Sequence, residues 1–216
     1  MSRAPTFCGV ILAAGESTRM GTDKALLPWP PAAAGKPSSG QTFLSAAIRV
    51  LSTCNDFVVV VVGNNEPNLA PAVYAAGGFL VRNPAPERGQ FSSLQIGLHE
   101  VLNRGRDAAM ITLVDRPPVS AVTLEKLRTA FEAASSRGKW AVVPEYGGKH
   151  GHPILVGREM IEAFLKAPAT ATARDIEHQN QQHIEYIPVD DPFVAMNVDT
   201  PQDYAAVSSL AAAQTE

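Results

Sequence analysis

The sequence contains little cysteine, little net charge and no long apolar run. Only two of its 216 residues are cysteines, Cys8 and Cys54, which is too few for a disulfide framework or a cysteine-based metal centre. A net charge of -3 with both signs interspersed argues against a nucleic-acid stripe or a polybasic membrane patch. No apolar run approaches the roughly 20 residues that cross a bilayer, and the first residues lack a signal-peptide core. We therefore expect a cytoplasmic protein whose partners include neither nucleic acid nor a membrane.

Length and pattern predict one α/β domain over residues 1–216, with its core at about 6–206. Short β-rich runs alternate with helical patterns, which is typical of a mostly parallel sheet covered on both faces. Residues 28–41 are rich in Pro, Gly, Ser and Ala and predict a flexible surface loop, and an Ala-rich tail begins at Ser208. The predicted strands are 6–12, 57–62, 79–81, 110–114, 140–143, 153–156, 184–189 and 194–198, with a small β insertion near 144–157, and the predicted helices are 91–103, one after the N-cap Ser120, 158–166, 172–179 and one from Thr200-Pro201.

A glycine-bearing loop follows the first predicted strand. Gly15 and Gly21 allow the backbone to close around an anion, while Arg19 and Lys24 supply positive charge. The spacing fits neither G-x-G-x-x-G nor G-x-x-x-x-G-K-[ST]. A phosphate-binding loop is indicated; the alternative is a turn that exposes two solvated cations.

The stretch from Leu12 to Lys24, Leu-Ala-Ala-Gly-Glu-Ser-Thr-Arg-Met-Gly-Thr-Asp-Lys, resembles the L-A-[AG]-G-x-[SG]-x-R-M-G-x-x-K loop of MobA/MocA-like nucleotidyltransferases. The resemblance implies a Rossmann-like three-layer α/β/α sandwich. It also implies catalytic roles for Lys24 and Arg19, and nucleotide contacts from Leu12, Ala13, Ala14, Gly15 and Lys24.

Two carboxylates follow predicted strands, Asp115 in Leu-Val-Asp-Arg-Pro and Asp199 in Asn-Val-Asp-Thr-Pro. Ligands of open α/β sheets bind at the strands' carboxyl ends, where such groups can hold a hard cation. The segments resemble the family's D-x-P and D-x-D-T-P motifs, with Asn197 in place of one Asp, and imply that Asp115 and Asp199 bind Mg2+ and that Asp115 also contacts the nucleotide. The alternatives are an Asx turn at Asp115 and a favourable helix-end charge at Asp199.

Base and ribose contacts are expected from Asn64, Asn83 and Ser92, because amides and hydroxyls both donate and accept hydrogen bonds. Ser92 or Ser93 could instead serve only as a helix cap. His150 and His152 are too few for a transition-metal site. Gly-His-Pro at 151–153 resembles an acceptor-side motif of the family's cytidylyltransferase group, which gives His152 either an acceptor-shaping or a loop-structural role.

The four motifs together imply a magnesium-dependent transfer of the NMP part of an NTP to a phosphorylated acceptor, with release of pyrophosphate. The Ala-Ala-Gly form of the loop accompanies CTP in the family, so CTP is the expected nucleotide. Molybdopterin cofactor is the expected acceptor, and a molybdoenzyme is the candidate protein partner. Alternatives are another phosphomonoester, such as methylerythritol phosphate, a sugar phosphate or cobinamide phosphate, or a silent nucleotide-binding or cofactor-chaperone protein.

Overall fold

The computed structural model describes residues 5–15, 22–30 and 40–213. Eight strands form one sheet in the order β3-β2-β1-β4-β7-β5-β6, and β8 also pairs with β5. The strands are β1 (Phe7–Leu12), β2 (Phe57–Val62), β3 (Phe79–Arg82), β4 (Ala108–Leu113), β5 (Ala141–Tyr146), β6 (Lys149–His150), β7 (Ile154–Gly157) and β8 (Ile184–Pro188). The helices are α1 (Phe43–Leu51), α2 (Glu66–Ala75), α3 (Gln90–Asn103), α4 (Ala121–Ser135), α5 (Arg158–Lys166), α6 (Ala173–Gln179) and α7 (Pro201–Ala213).

The predicted three-layer α/β/α sandwich is confirmed. Side chains of β1 alternate between the two faces, as a strand requires: Phe7 and Ile11 join one apolar core, and Cys8 and Val10 join the other. Helices α1, α2, α4 and α7 pack on the first face, while α3, α5 and α6 pack on the second. Both faces of the sheet are therefore buried, which explains the unbroken run of apolar residues in β2.

Most of the sheet is parallel, but the region of the predicted β insertion is antiparallel. Strands β5 and β6 form a hairpin, and β7 lies between β4 and β5 and runs antiparallel to both. The insertion thus contributes a strand to the main sheet itself, so that the chain segment just before β7 lies near the end of β4.

The prediction of a strand over 194–198 is wrong. Pro192–Ala195 form a 3-10 helix, and residues 196–199 have no regular structure. Asp191 caps the turn by accepting a hydrogen bond from the Phe193 backbone N–H at 3.0 Å, and Pro192 suits the first helical position. Val194 and Val198 are buried all the same, so their apolar character reflects burial and not a strand.

Both ends of the predicted loop 28–41 are anchored where they are described. The Trp29 side chain is buried and meets Phe43 and Phe193 edge to face, with ring centroids 5.0 and 5.5 Å away. The Trp29 backbone N–H donates to the Gln41 carbonyl at 2.9 Å. Residues 31–39 lie outside the described ranges. The Ala-rich tail continues α7 as far as Ala213, and no helix in the described ranges has the length and apolar character needed to span a membrane.

Candidate functional site

A cavity of about 340 Å³ opens at the carboxyl ends of β1 and β4. This is the edge at which ligands bind in open α/β sheets. The cavity brings together residues from chain segments far apart in sequence: Leu12, Ala14, Gly15, Lys24, Pro86, Gly89, Gln90, Ser93, Leu113, Val114, Asp115 and Asp199. The predicted loop, cation and carboxylates therefore share one site.

The loop after β1 is held in place by Asn65. The Asn65 amide donates to the Ala13 carbonyl at 2.9 Å, and its oxygen accepts from the Gly63 N–H at 3.1 Å. Asn64, the predicted contact, is exposed and does not line the cavity. Ala13 is buried, whereas Leu12, Ala14 and Gly15 face the cavity. Arg19 lies in the range 16–21, outside the described residues.

Lys24 is paired with a carboxylate 175 positions later in the chain. It begins a short 3-10 helix, Lys24–Leu26, which Asp23 caps. Its side chain is almost buried, and its ammonium Nζ lies 2.7 Å from Asp199 Oδ1. Asn197 donates to the other carboxylate oxygen, Asp199 Oδ2, at 2.6 Å. Both oxygens of Asp199 therefore accept hydrogen bonds within the protein.

Asp115 differs from Asp199 because its Oδ1 is buried and has no hydrogen-bond partner in the described part of the chain. Burial raises the pKa of the Asp115 carboxyl above its ordinary value, against the opposing charges of Lys24 and Arg116. The Asp115 carbonyl accepts from the Val198 N–H at 2.8 Å, which holds the segment carrying Asp199 beside the end of β4.

The two carboxylates fit a hard divalent cation. A buried carboxylate oxygen without a hydrogen-bond partner is stabilised by a bound cation, and oxygen ligands suit Mg2+. The described residues contain no cluster of three or more Asp, Glu, His or Cys side chains able to hold a metal. Mg2+ is commonly held by one or two carboxylates, with water and substrate phosphates completing its shell, so the lack of a larger cluster in the described ranges does not argue against such an ion.

Asn83 and Ser92 lie behind the cavity wall. Asn83 is buried, and its amide donates to the hydroxyls of Ser92 and Ser93, both at 2.9 Å. Its oxygen accepts from the Ala85 N–H at 2.9 Å. Neither Asn83 nor Ser92 lines the cavity, but Ser93 does. The buried amide thus fixes the first turn of α3 against the end of β3.

A second cavity of about 810 Å³ adjoins the first, and both are lined by Leu12, Gly89, Gln90 and Leu113. Its apolar surface comes from Phe91, Leu94, Ile111, Val143 and Ile154, and its charged or polar surface includes Arg88, Arg116, His150, His152, Arg174 and Glu177. A ligand spanning both cavities would therefore pass from the carboxylates and Lys24 to an apolar floor with a basic rim.

His152 lies in the second cavity as a neutral imidazole. Burial, reinforced by the charge of Arg116, lowers the pKa of His152 to about 3, and its Nδ1 has no hydrogen-bond partner in the described residues. The preceding Gly151 packs against the 3-10 helix, since a Cβ there would overlap the Val194 carbonyl oxygen. That carbonyl accepts from the His152 N–H at 2.9 Å. The Gly-His-Pro segment is thus held by a close backbone contact.

Sequence reasoning missed some residues of the second cavity, notably Arg174 and Glu177. Arg174 and Glu177 lie on α6, a short helix whose composition resembles any solvated surface helix. No local signal distinguishes them, because only the packing of α6 beside the second cavity makes them part of the site.

The sequence matches the MobA-like NTP transferase domain family over residues 9–184. A probable molybdenum cofactor guanylyltransferase of Rhodopirellula baltica is 30% identical over 62% of this chain and 59% of its own length. The molybdenum cofactor cytidylyltransferase of Escherichia coli is 23% identical over 90% of this chain and 92% of its own.

Solved structures show the same fold. The crystal structure of Rv0371c from Mycobacterium tuberculosis H37Rv is 26% identical, with a TM-score of 0.77, and covers 96% of this chain and 100% of its own. A manganese complex of Rv0371c, at 23% identity and a TM-score of 0.72, covers 94% of this chain and 98% of its own. The match with the family model over most of the sequence leads to one conclusion: the chain belongs to the MobA-like NTP transferase domain family of nucleotidyltransferases.

Proposed function

We propose that this chain joins the NMP part of an NTP, with CTP preferred, to the phosphate of molybdopterin cofactor and releases pyrophosphate. One observation carries the proposal. A cavity that contains a lysine and two carboxylates adjoins a larger cavity with an apolar floor and basic walls. The first suits a triphosphate, and the second suits a flat acceptor that carries negative charge.

In the proposed reaction, an oxygen of the acceptor phosphate attacks the α-phosphorus of the NTP. A new P–O bond forms, the bond from the α-phosphorus to the bridging oxygen breaks, and pyrophosphate leaves with the electron pair. The acceptor phosphate is ionised at neutral pH and needs no strong base. The protein's work is therefore positioning and charge stabilisation, which matches the neutral His152 beside the acceptor.

Lys24 is the one cationic side chain among the described residues that line the first cavity. We infer that it moves from Asp199 to the triphosphate when the nucleotide binds, because the 2.7 Å pair lies at the cavity wall and Asn197 continues to hold the carboxylate. The ammonium then stabilises charge that develops on the phosphate oxygens. Backbone N–H groups of the loop at Gly15 and a side chain from Arg19 would complete the phosphate contacts.

Asp115 and Asp199 would hold Mg2+ beside the triphosphate. Such an ion neutralises developing negative charge and orients the phosphates. The buried, unpartnered Oδ1 of Asp115 supports this role, and the manganese complex of the M. tuberculosis structure is consistent with a divalent cation.

For the nucleotide, Ala14 lines the first cavity, and we infer that its methyl group narrows the space beside the base and so favours a pyrimidine. Isothermal titration with Mg2+ should give tighter binding of CTP than of GTP. Tighter binding of GTP would overturn the preference but not the nucleotidyltransferase chemistry. Ala14→Gly is the matched variant, and its expected effect is to reduce the discrimination.

The deciding experiment measures pyrophosphate release with Mg2+ and each of CTP, GTP, ATP and UTP, with and without molybdopterin cofactor. We expect release with CTP only when the cofactor is present, and loss of release when EDTA is added. Release with a different phosphomonoester alone would contradict the acceptor assignment. Absence of release with every nucleotide, together with measurable nucleotide binding, would identify a silent binder.

A further inference from the structure

Glu177 is an unexpected group in the second cavity. Arg88, Arg116 and Arg174 line this cavity, which suits an anionic acceptor, yet Glu177 lines it as well and is the one carboxyl among the described lining residues. A carboxylate would repel an anion. Its presence therefore favours a ligand that offers hydrogen-bond donors at this position.

The Glu177 side chain has no hydrogen bond or ion pair to any residue in the described ranges, although Arg174 lies one turn earlier on α6. Burial raises the pKa of the Glu177 carboxyl, against the opposing charge of Arg174. The side chain is half-buried, so a ligand that displaces its water would have to supply a hydrogen bond to the carboxyl in return. A ligand N–H could therefore donate a hydrogen bond to the Glu177 carboxyl.

Glu177 is also held in place. Thr172 and Asp175 form a capping box that fixes the first turn of α6, and the buried Ile176 anchors the helix in the core. The chain leading into α6 is tied to α3, because the Gln95 amide donates to the carbonyls of Phe164 and Ala167 at 3.0 and 3.3 Å. A carboxyl on such a support can discriminate between ligand edges.

We propose that Glu177 is a specificity residue that binds the cyclic amidine edge of the acceptor's heteroaromatic ring, the ring N–H and the adjacent exocyclic amino group. The two donors of such an edge lie parallel, as in a guanidinium, and match the two oxygens of a carboxylate. The apolar floor formed by Leu94 and Ile111 suits the face of a flat ring. The inference rests on the proposed function, because it assumes that this cavity holds the acceptor.

The test compares two fluorescent probes, 6-hydroxymethylpterin monophosphate and 6-hydroxymethyllumazine monophosphate. The lumazine replaces the amino group with a carbonyl oxygen, which would face the carboxylate and repel it. We expect the wild-type protein to bind the pterin about 10- to 100-fold more tightly than the lumazine, the scale for a lost hydrogen bond to a charged group. Glu177→Gln should reduce that preference to a few-fold, because an amide can donate to the carbonyl oxygen.

Glu159→Gln is the matched control, since Glu159 is exposed on α5 and lines neither cavity; it should keep the full preference. Equal binding of both probes by the wild type, or an unchanged preference in Glu177→Gln, would overturn the role of Glu177 and leave the proposed function standing. Failure of the wild type to bind either probe would overturn the role of Glu177, and pyrophosphate release with molybdopterin cofactor would decide separately whether the proposed function stands.

Discussion

Replacement of Lys24 by Met tests the proposed mechanism most directly. Methionine keeps an unbranched side chain of similar length and removes the charge together with the N–H donors of the ammonium. Lys24 is 8% exposed and its Nζ lies 2.7 Å from Asp199 Oδ1, so the ammonium has a fixed position from which to reach a triphosphate. Loss of one oriented stabiliser of transition-state charge typically reduces turnover by about 100-fold or more.

Lys24→Met should also lower the free energy of unfolding, by an amount that the exposure of the ion pair bounds. The side chain of Lys24 is 10% exposed and that of Asp199 is 28% exposed, so the pair is neither fully buried nor fully solvated. Removing one partner should cost about 1 to 2 kcal/mol, between the values for exposed and buried pairs. In a chain of this length that corresponds to a fall in Tm of roughly 2 to 8 °C. The variant should therefore stay folded at 25 °C.

The assay is the steady-state rate of pyrophosphate release at saturating nucleotide, metal and acceptor, with thermal unfolding measured in parallel. Lys139→Met is the control, because the Lys139 ammonium donates to the Gln182 carbonyl at 2.8 Å and lines neither cavity. It removes the same charge and should leave turnover unchanged. A Lys24→Met enzyme within threefold of the wild-type rate would refute the assigned role of the ammonium.

Three further predictions follow from single residues. Asp115→Asn should raise the metal concentration needed for half-maximal activity by about tenfold or more, because a charged ligand is lost. An unchanged metal titration would remove Asp115 from the metal site. Gly151→Ala should lower the free energy of unfolding in urea by about 1 to 3 kcal/mol, because the new Cβ would overlap the backbone. Gly147→Ala is the control: Gly147 has φ +56° and open space around it, so the change should cost only about 1 kcal/mol. Equal costs would contradict the packing argument. The pKa of His152 is lowered from 6.5 to about 3, so below pH 6.5 the unfolded chain takes up a proton while the folded imidazole stays neutral. As the pH is lowered from 6.5 towards 3, the free energy of unfolding should therefore fall by up to about 1.4 kcal/mol per pH unit. His152→Gln should flatten this slope between pH 7 and pH 5, and parallel urea curves for the two proteins would show that His152 does not titrate as described.

The sequence by itself determined the layer order and the motif positions. Strand β2 was readable because a run of valines has one stable place, a strand buried on both faces. Helix α3 was readable from its apolar spacing, and the predicted bounds of α3 and α5 agree with the structure within one residue. The loop at 12–24 stays a predicted phosphate-binding loop, since glycines and cations at this spacing indicate one and residues 16–21 lie outside the described ranges. These signals are local, so no tertiary contact is needed to interpret them.

Only the tertiary structure decided how polar groups are shared. A strand was expected at 194–198 from apolar residues, but the Asp191 cap and Pro192 produce a 3-10 helix, and burial alone cannot distinguish the two. Asn83 reads as a ligand contact in sequence, yet in the structure its amide is occupied by two serine hydroxyls.

The same holds across longer distances. The Lys24–Asp199 pair joins positions 175 residues apart, and Glu177 enters the second cavity only because α6 packs there. Local sequence fixes which groups are available, whereas the fold fixes which of them face one another, because hydrogen bonds and ion pairs depend on distances that only packing sets.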